Sequence, residues 1–301
     1  SDLNYGIPGG LNAEQFATDP RQARPGNAFV PGSVDANASI DQQALFFGLT
    51  HETTLNDNAS LSNSVFGSFS NFDNPFNLDY KIDTRRSGGI RSLLKKQLRL
   101  ADITGQLSAG IEYQASNYAS NNYTNSSGKP GSLNFSDELA VQATTVFISG
   151  QFNLPSNWIA NAGLSYNKVN YKINRLQTTL DGDTTGLVDI GFDPQLIPRL
   201  AFANRIAESL TLFAGLGYGF SPPTIEEVRT NEGSINLSLS PEIGINLETG
   251  ARGFMMDGRF NFEVSTFYYR LRESIVQRQS VRGTTLFRNA GSTNQFGLEL
   301  N

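Results

Sequence analysis

Between Ser209 and Phe220 the side chains alternate without a break. Leu210, Leu212, Ala214, Leu216, Tyr218 and Phe220 fall on one side, and Ser209, Thr211, Phe213, Gly215, Gly217 and Gly219 on the other. Successive residues of a strand point to opposite faces, so a segment of this kind is a ribbon with one apolar face. The pattern recurs. In Thr104–Ser116, Leu107, Ala109, Ile111 and Tyr113 oppose Gln106, Ser108, Glu112 and Gln114. In Glu242–Gly250, Ile243, Ile245 and Leu247 oppose Glu242, Asn246 and Glu248; in Arg259–Arg272, Phe260, Phe262, Val264, Thr266 and Tyr268 oppose Arg259, Asn261, Glu263 and Ser265. The chain is expected to be all-β.

About twelve strands are expected, near 40–55, 60–72, 90–100, 103–116, 139–154, 157–173, 196–206, 209–220, 241–254, 259–275, 285–290 and 295–301. The gaps between them alternate in length. Short ones lie at Asn56–Ala59, Ala101–Asp102, Pro155–Ser156, Ala207–Glu208, Met255–Gly258 and Gly291–Asn294. Long ones lie at 73–89, 117–138, 174–195, 221–240 and 276–284, after an irregular opening at 1–39. An antiparallel up-and-down transmembrane barrel has this rhythm, with short periplasmic turns, longer extracellular loops and strands that are apolar outside and polar within. A β-sandwich also alternates, but its strands are shorter and its connections do not sort into two classes. Lys96, which shares a face with Leu94 and Leu98, would cost about 2–4 kcal/mol mid-bilayer, so either it sits near a rim or the register of 90–100 differs from this one.

Composition removes other classes. No apolar run approaches the ~18 residues of a membrane-crossing helix, and mean hydropathy is −0.30. A net charge of −5 gives nucleic acid no general attraction. Zero cysteines and one histidine leave no thiolate or multi-histidine site. No nucleophile–base pair stands out, and an enzyme is not expected. His51, beside Glu52 near a short turn, is read as a rim or wall residue.

Several phrases narrow the class further. Phe220-Ser221-Pro222-Pro223-Thr224-Ile225-Glu226-Glu227 ends a strand and opens a long loop. Leu239-Ser240-Pro241-Glu242 follows, then Asn246, Glu248 and Gly250, then Asn289-Ala290-Gly291 and Gly297-Leu298-Glu299. This ordered set resembles the barrel domain of TonB-dependent outer-membrane receptors. Tyr5-Gly6-Ile7-Pro8-Gly9-Gly10-Leu11, Asp19-Pro20-Arg21 with Ala23-Arg24, and Asp73-Asn74-Pro75-Phe76 are similar to the family's iron-siderophore branch. The resemblance implies a barrel of 22 strands, of which residues 1–301 are expected to supply a partial wall without the plug or the C-terminal strands; a closed twelve-strand barrel is the alternative.

The resemblance also implies function: energy-coupled import of a ferric siderophore, or a similar large scarce ligand, across the bacterial outer membrane. The siderophore is the transported ligand, and no cofactor is bound by the chain itself. Partners would be the TonB system, through an N-terminal region not seen here, and outer-membrane lipid and lipopolysaccharide, with no nucleic acid. Ligand contact is assigned to Tyr5, Tyr118 and Tyr123, by stacking or hydrogen bonding, and to Arg85, Arg86, Arg278 and Arg282 as a cationic entrance in or beside outer loops. Glu242, Asn246 and Glu248 would face the lumen or plug, and Arg270 and Arg272 would meet lipopolysaccharide phosphates at the outer rim. A passive porin and a secreted all-β adhesin or carbohydrate-binding module stay open at this stage.

Overall fold

The computed structural model describes residues 1–180, 183–230, 233–279 and 285–301. It is an antiparallel sheet whose strands pair in chain order. They are β1 (Asp2–Gly6), β2 (Ser39–Asn56), β3 (Ala59–Pro75), β4 (Asp79–Leu100), β5 (Ile103–Asn125), β6 (Pro130–Leu154) and β7 (Trp158–Thr178), then β8 (Gly186–Gly191), β9 (Gln195–Ala207), β10 (Leu210–Ser221), β11 (Glu242–Met255), β12 (Phe260–Arg272) and β15 (Ser292–Leu300). β8 and β9 share one edge of β7, β8 along its upper part and β9 along its lower part. β13 (Ile275–Gln279) and β14 (Thr285–Asn289) form a separate hairpin. Two short helices sit in connections, α1 (Ala13–Thr18) and α2 (Ile225–Val228).

The ladder fixes which residues share a face. One row runs Lys96, Leu107, Gly150, Ala162, Leu200, Leu216, Leu247, Tyr268 and Phe296 from β4 to β15. On this face Ile111, Val146, Ile148, Leu164, Leu200, Leu216 and Leu247 are exposed. The opposite face is concave and polar. It lines a space of about 1450 Å³ with Gln97, Gln106, Ser108, Gln151, Asn161, Arg199, Asn246 and Glu248. Large apolar side chains open to the outside of a curved wall have no core to join, so this surface is built to meet hydrocarbon.

Lys96 pairs with Ala59, the first residue of β3. The register therefore places it beside the β2–β3 turn and four residues from the end of β4, at the rim. His51 lies on the exposed part of β2, opposite Asn63.

Three expectations are corrected. Residues 1–39 are not wholly irregular: β1 pairs with the start of β2, from Asp2 opposite Gln43 to Gly6 opposite Ser39. Its five residues are too short to show periodicity. The expected loops 73–89 and 117–138 shrink to turns at 76–78 and 126–129, because β3 to β6 continue far past the apolar zone. There the outer face is wetted and the inner face mixes polar groups with a few apolar ones, so hydropathy loses its alternation while pairing persists. Polar cross-strand bonds replace apolar contacts: Ser136 Oγ donates to Asn121 Oδ1 at 2.6 Å, Ser120 Oγ to Asp83 Oδ1 at 2.6 Å and Asn134 Nδ2 to Asn122 Oδ1 at 2.7 Å. The 174–195 gap likewise holds the end of β7 and all of β8. Finally, Gly291–Asn294 is not a short turn. Arg272 pairs with Ser292, so β14 and β15 form one descending run broken at Ala290 and Gly291, and the β13–β14 hairpin belongs to the long-loop rim.

Candidate functional site

The described parts of the long connection, 221–230 and 233–240, fold inward over the concave face. Pro222 and Pro223 cannot donate to the ladder and end β10. Thr224 then caps α2: its hydroxyl accepts from Glu227 N at 3.2 Å, and the Glu227 carboxylate accepts from Thr224 N at 2.7 Å. The T-x-x-E spacing carries this signal in the sequence. The helix buries Ile225 and Val228 against Leu139, Tyr171, Ile173, Phe192 and Leu239. Tyr171 Oη donates to Pro223 O at 2.6 Å and fastens the start of the connection to β7. The result is a small apolar core on the inner side of the wall, at its long-loop end.

Beside that core lies a buried charge cluster. Arg175 grips Asp137 with Nε at 2.8 Å and Nη2 at 3.0 Å and also bonds Asp183. Arg229, from the inward connection, places Nε 2.9 Å from Asp137 Oδ2, the oxygen that Arg175 Nη2 also holds. That approach is close but poorly aimed: Arg229 Nε and Nη2 and Thr230 Oγ1 make no hydrogen bond with a described residue. Both guanidiniums stack on Phe135, at 5.0 and 5.2 Å from its centroid. Burial pulls the Arg229 guanidinium below its ordinary value, and the Asp137 carboxylate acts against that.

The expected ligand residues separate into groups. Arg85 and Tyr118 come together on the concave face, on β4 and β5 rather than on loops, with the guanidinium 4.6 Å from the ring centroid. Arg85 Nη2 also bonds Glu226 Oε1 of α2 at 3.0 Å. Arg86, the next residue on β4, points to the outer face, 6.0 Å from the Phe69 ring centroid. Tyr123 lies in β5 opposite Tyr80, Tyr5 lies exposed in β1, and Arg278 lies exposed in β13. Arg282 lies outside the described residues. Asn246 and Glu248 line the concave space. Glu242 shares their strand parity, and its Oε1 accepts from Ile275 N at 2.7 Å. Asn289 ties the two neighbouring outer connections together, accepting from Ser240 N at 2.8 Å and donating to Ser240 O at 2.9 Å and Glu273 O at 2.6 Å. Arg270 and Arg272 are exposed on the outer face, above Tyr268 in β12.

This arrangement, a wall with a greasy outside, a polar inside and an inward loop at one end, has close structural counterparts. The ferric citrate transporter FecA in its unliganded form superposes with a TM-score of 0.75 at 15% identity, over 99% of this chain and 43% of that one. The siderophore receptor PiuA from Acinetobacter baumannii gives 0.66 at 14%, over 92% and 47%. The ferric-catecholate import receptor Fiu from K12 E. coli gives 0.66 at 13%, over 98% and 48%. The chain thus spans less than half the length of each. At these identities the likeness establishes the fold. The sequence itself matches the TonB dependent receptor-like β-barrel family over residues 1–301, a family of receptors and transporters rather than an enzyme class. The chain is therefore a member of the TonB-dependent receptor β-barrel family and a piece of an outer-membrane wall.

Proposed function

We propose that this chain forms part of the wall of a receptor that imports a ferric siderophore across the outer membrane with energy supplied through the TonB system. The reading rests on one observation above the rest: the polar concave face, roofed at the long-loop end by the 221–240 connection, within a chain matching the family from end to end. Import of a large ligand needs a passage whose inner surface exchanges hydrogen bonds with water and cargo. Gln97, Gln106, Gln151 and Asn246 supply such a surface. Arg85 over Tyr118 offers a cation and an aromatic face together, which suits an anionic catecholate or carboxylate complex. Glu226 pairs with Arg85 and would be exchanged for the ligand. Tyr5, Tyr123 and Arg278 are assigned supporting contacts, and Arg282, outside the described residues, is kept as a candidate from the sequence.

The test uses the full-length protein in outer membranes. A strain lacking its other ferric-siderophore receptors is grown under iron limitation with single ferric siderophores, in coupled and TonB-deficient backgrounds. The reading expects growth on at least one siderophore only when the receptor and the coupling system are both present. Growth independent of the coupling system would point to a passive pore instead.

A further inference from the structure

Above Arg199 the wall forks. β9 and β10 pair from Ala207 opposite Leu210 up to Arg199 opposite Gly217, and there their ladder ends. Both strands go on. Residues 195–198 stay paired with β7, from Asn167 to Leu164, while residues 218–221 stay paired with β11, from Ile245 to Glu242. Pro198, the first residue past the last rung, has no N–H with which to continue the ladder. The inner side of β10 is bare at the fork: Gly215, Gly217 and Gly219 share the inward parity, and a Cβ on Gly217 would meet nothing within 4 Å.

The fork lies at membrane depth. Its rungs on β7, Leu164 to Asn167, stand six to nine residues above Trp158, where β7 leaves the short-turn rim. At ~3.4 Å per residue and a tilt of about 45°, that is about 14–22 Å up an apolar band ~25 Å tall. Leu164, Tyr166 and Leu196 are exposed on the outer face at this height, where hydrocarbon covers them. An open sheet edge is tolerated at such depth only where protein buries it or where it lines a water-filled cavity. Here there is a cavity. A recess of about 390 Å³ is lined by Thr145, Asn167, Ile197 and Arg199 of the inner face and by Tyr218 and Phe220 of the outward parity. Arg199 lines the large concave space as well. It forms no ion pair with a described residue, and Glu248, which lines the same space, is two strands away.

We propose that this fork is a lateral port for an acylated cargo: a ferric chelate whose anionic head sits on Arg199 in the passage while its hydrocarbon tail leaves between β9 and β10 into the outer leaflet. The assignment rests on the import reading above and narrows its substrate class. A cation inside, aromatic side chains along the split and hydrocarbon outside stand in the order in which an anionic amphiphile carries its head, linker and tail. Such a cargo dissolves in the membrane, and a port in the wall admits it from the phase it occupies. Arg85 and Tyr118 stand about 20 Å further up the wall, the six residues of β6 from Leu139 to Thr145, so substitutions at the port leave them untouched.

The test uses the full-length receptor in native outer membranes and two photoreactive dodecanoates, one with a diazirine beside the carboxyl and one with it near the methyl end. Labelled residues are mapped by peptide mass spectrometry. The carboxyl-end probe is expected on the inward Asn167 and Ile197, and the methyl-end probe on the outward Leu196 and Phe220. Excess dodecanoate should remove the inward labels, and excess dodecyltrimethylammonium, which has no anionic head, should not. R199Q and, separately, the port-filling G219F should each lower inward labelling about tenfold with the heat-modifiability of the barrel unchanged. Inward labelling equal to wild type in either variant, or equal competition by the cationic amphiphile, overturns the proposal. If a variant does not assemble, the competition on wild-type protein decides. Carboxyl-end labels confined to outward residues, with coupling-dependent growth intact, would overturn the port and leave import standing. Inward labels without coupling-dependent growth would overturn import, and with it the cargo, while keeping an acyl site.

Discussion

Replacing Asp137 by alanine removes the carboxylate on which two guanidiniums converge. Its side chain is fully buried, and those of Arg175 and Arg229 are exposed by 1% and 4%. Arg175 would keep Asp183, but Arg229 would keep no ion pair with a described residue, only the more distant charges of Asp83 and Glu226. Deleting one member of a buried ionic group costs about 3–5 kcal/mol, because a charge is stranded away from water. Arg229→Met should behave differently. Arg229 already leaves Nε and Nη2 without hydrogen bonds, and each unmade buried bond costs about 1–3 kcal/mol in the wild type. Methionine recovers that penalty while keeping much of the packing on Phe135, so its net cost should be below about 1 kcal/mol. With Arg229 gone, Asp137→Ala strands less charge, and the double variant should be milder than the sum of the singles by at least about 1 kcal/mol. The assay is urea unfolding of the full-length receptor refolded into vesicles, with protease cleavage in the 221–240 connection as the local readout. Asp137→Ala should expose that connection to cleavage, and Arg229→Met should not. Equal costs for the two single variants, or additivity within about 0.5 kcal/mol, would refute the reasoning.

Three other outcomes follow from the same geometry. Leu247→Lys on the outer face should cost about 2–4 kcal/mol in vesicle unfolding, while Glu248→Lys, one residue along and facing the passage, should cost under about 1 kcal/mol. Gly253→Val should destabilise by about 1–3 kcal/mol, because its Cβ would enter the space of the Ser209 carbonyl oxygen, whereas Gly217→Val meets open space and should leave stability nearly unchanged in the same assay. Arg85→Gln with Tyr118→Ala should weaken binding of the cognate ferric siderophore to the full-length protein about tenfold in equilibrium titration, with unfolding unaltered.

What the sequence revealed depended on solvent contrast. Where one face meets lipid and the other water, as in Leu210–Phe220, alternation read directly as a strand with assigned faces, and the register bore out that assignment. Above the membrane the contrast vanishes. Asn117 to Asn125 is polar on both faces, so the continuation of β5 was invisible and Arg85 and Tyr118 were placed on loops. Their strand positions decide their use: odd residues of β4 and even residues of β5 look inward, which brings Arg85 to Tyr118 and sends Arg86 outside. The Asp137–Arg175–Arg229 cluster was illegible for another reason. Asp137 and Arg229 are 92 residues apart (229 − 137), and nothing local marks either as buried. Only the fold of the 221–240 connection, partly signalled by Thr224 and Glu227, brings them together.

A cysteine scan along β10, from Leu210 to Phe220 of the full-length protein in native outer membranes, tests the wall most directly, since this chain has no cysteine of its own. Labelling by a charged, membrane-impermeant thiol reagent should peak at 211, 213, 215, 217 and 219, while 212, 214 and 216 react only with a lipid-soluble reagent. Labelling in the opposite phase, or without a two-residue period, would contradict a lipid-facing outside and a water-lined inside.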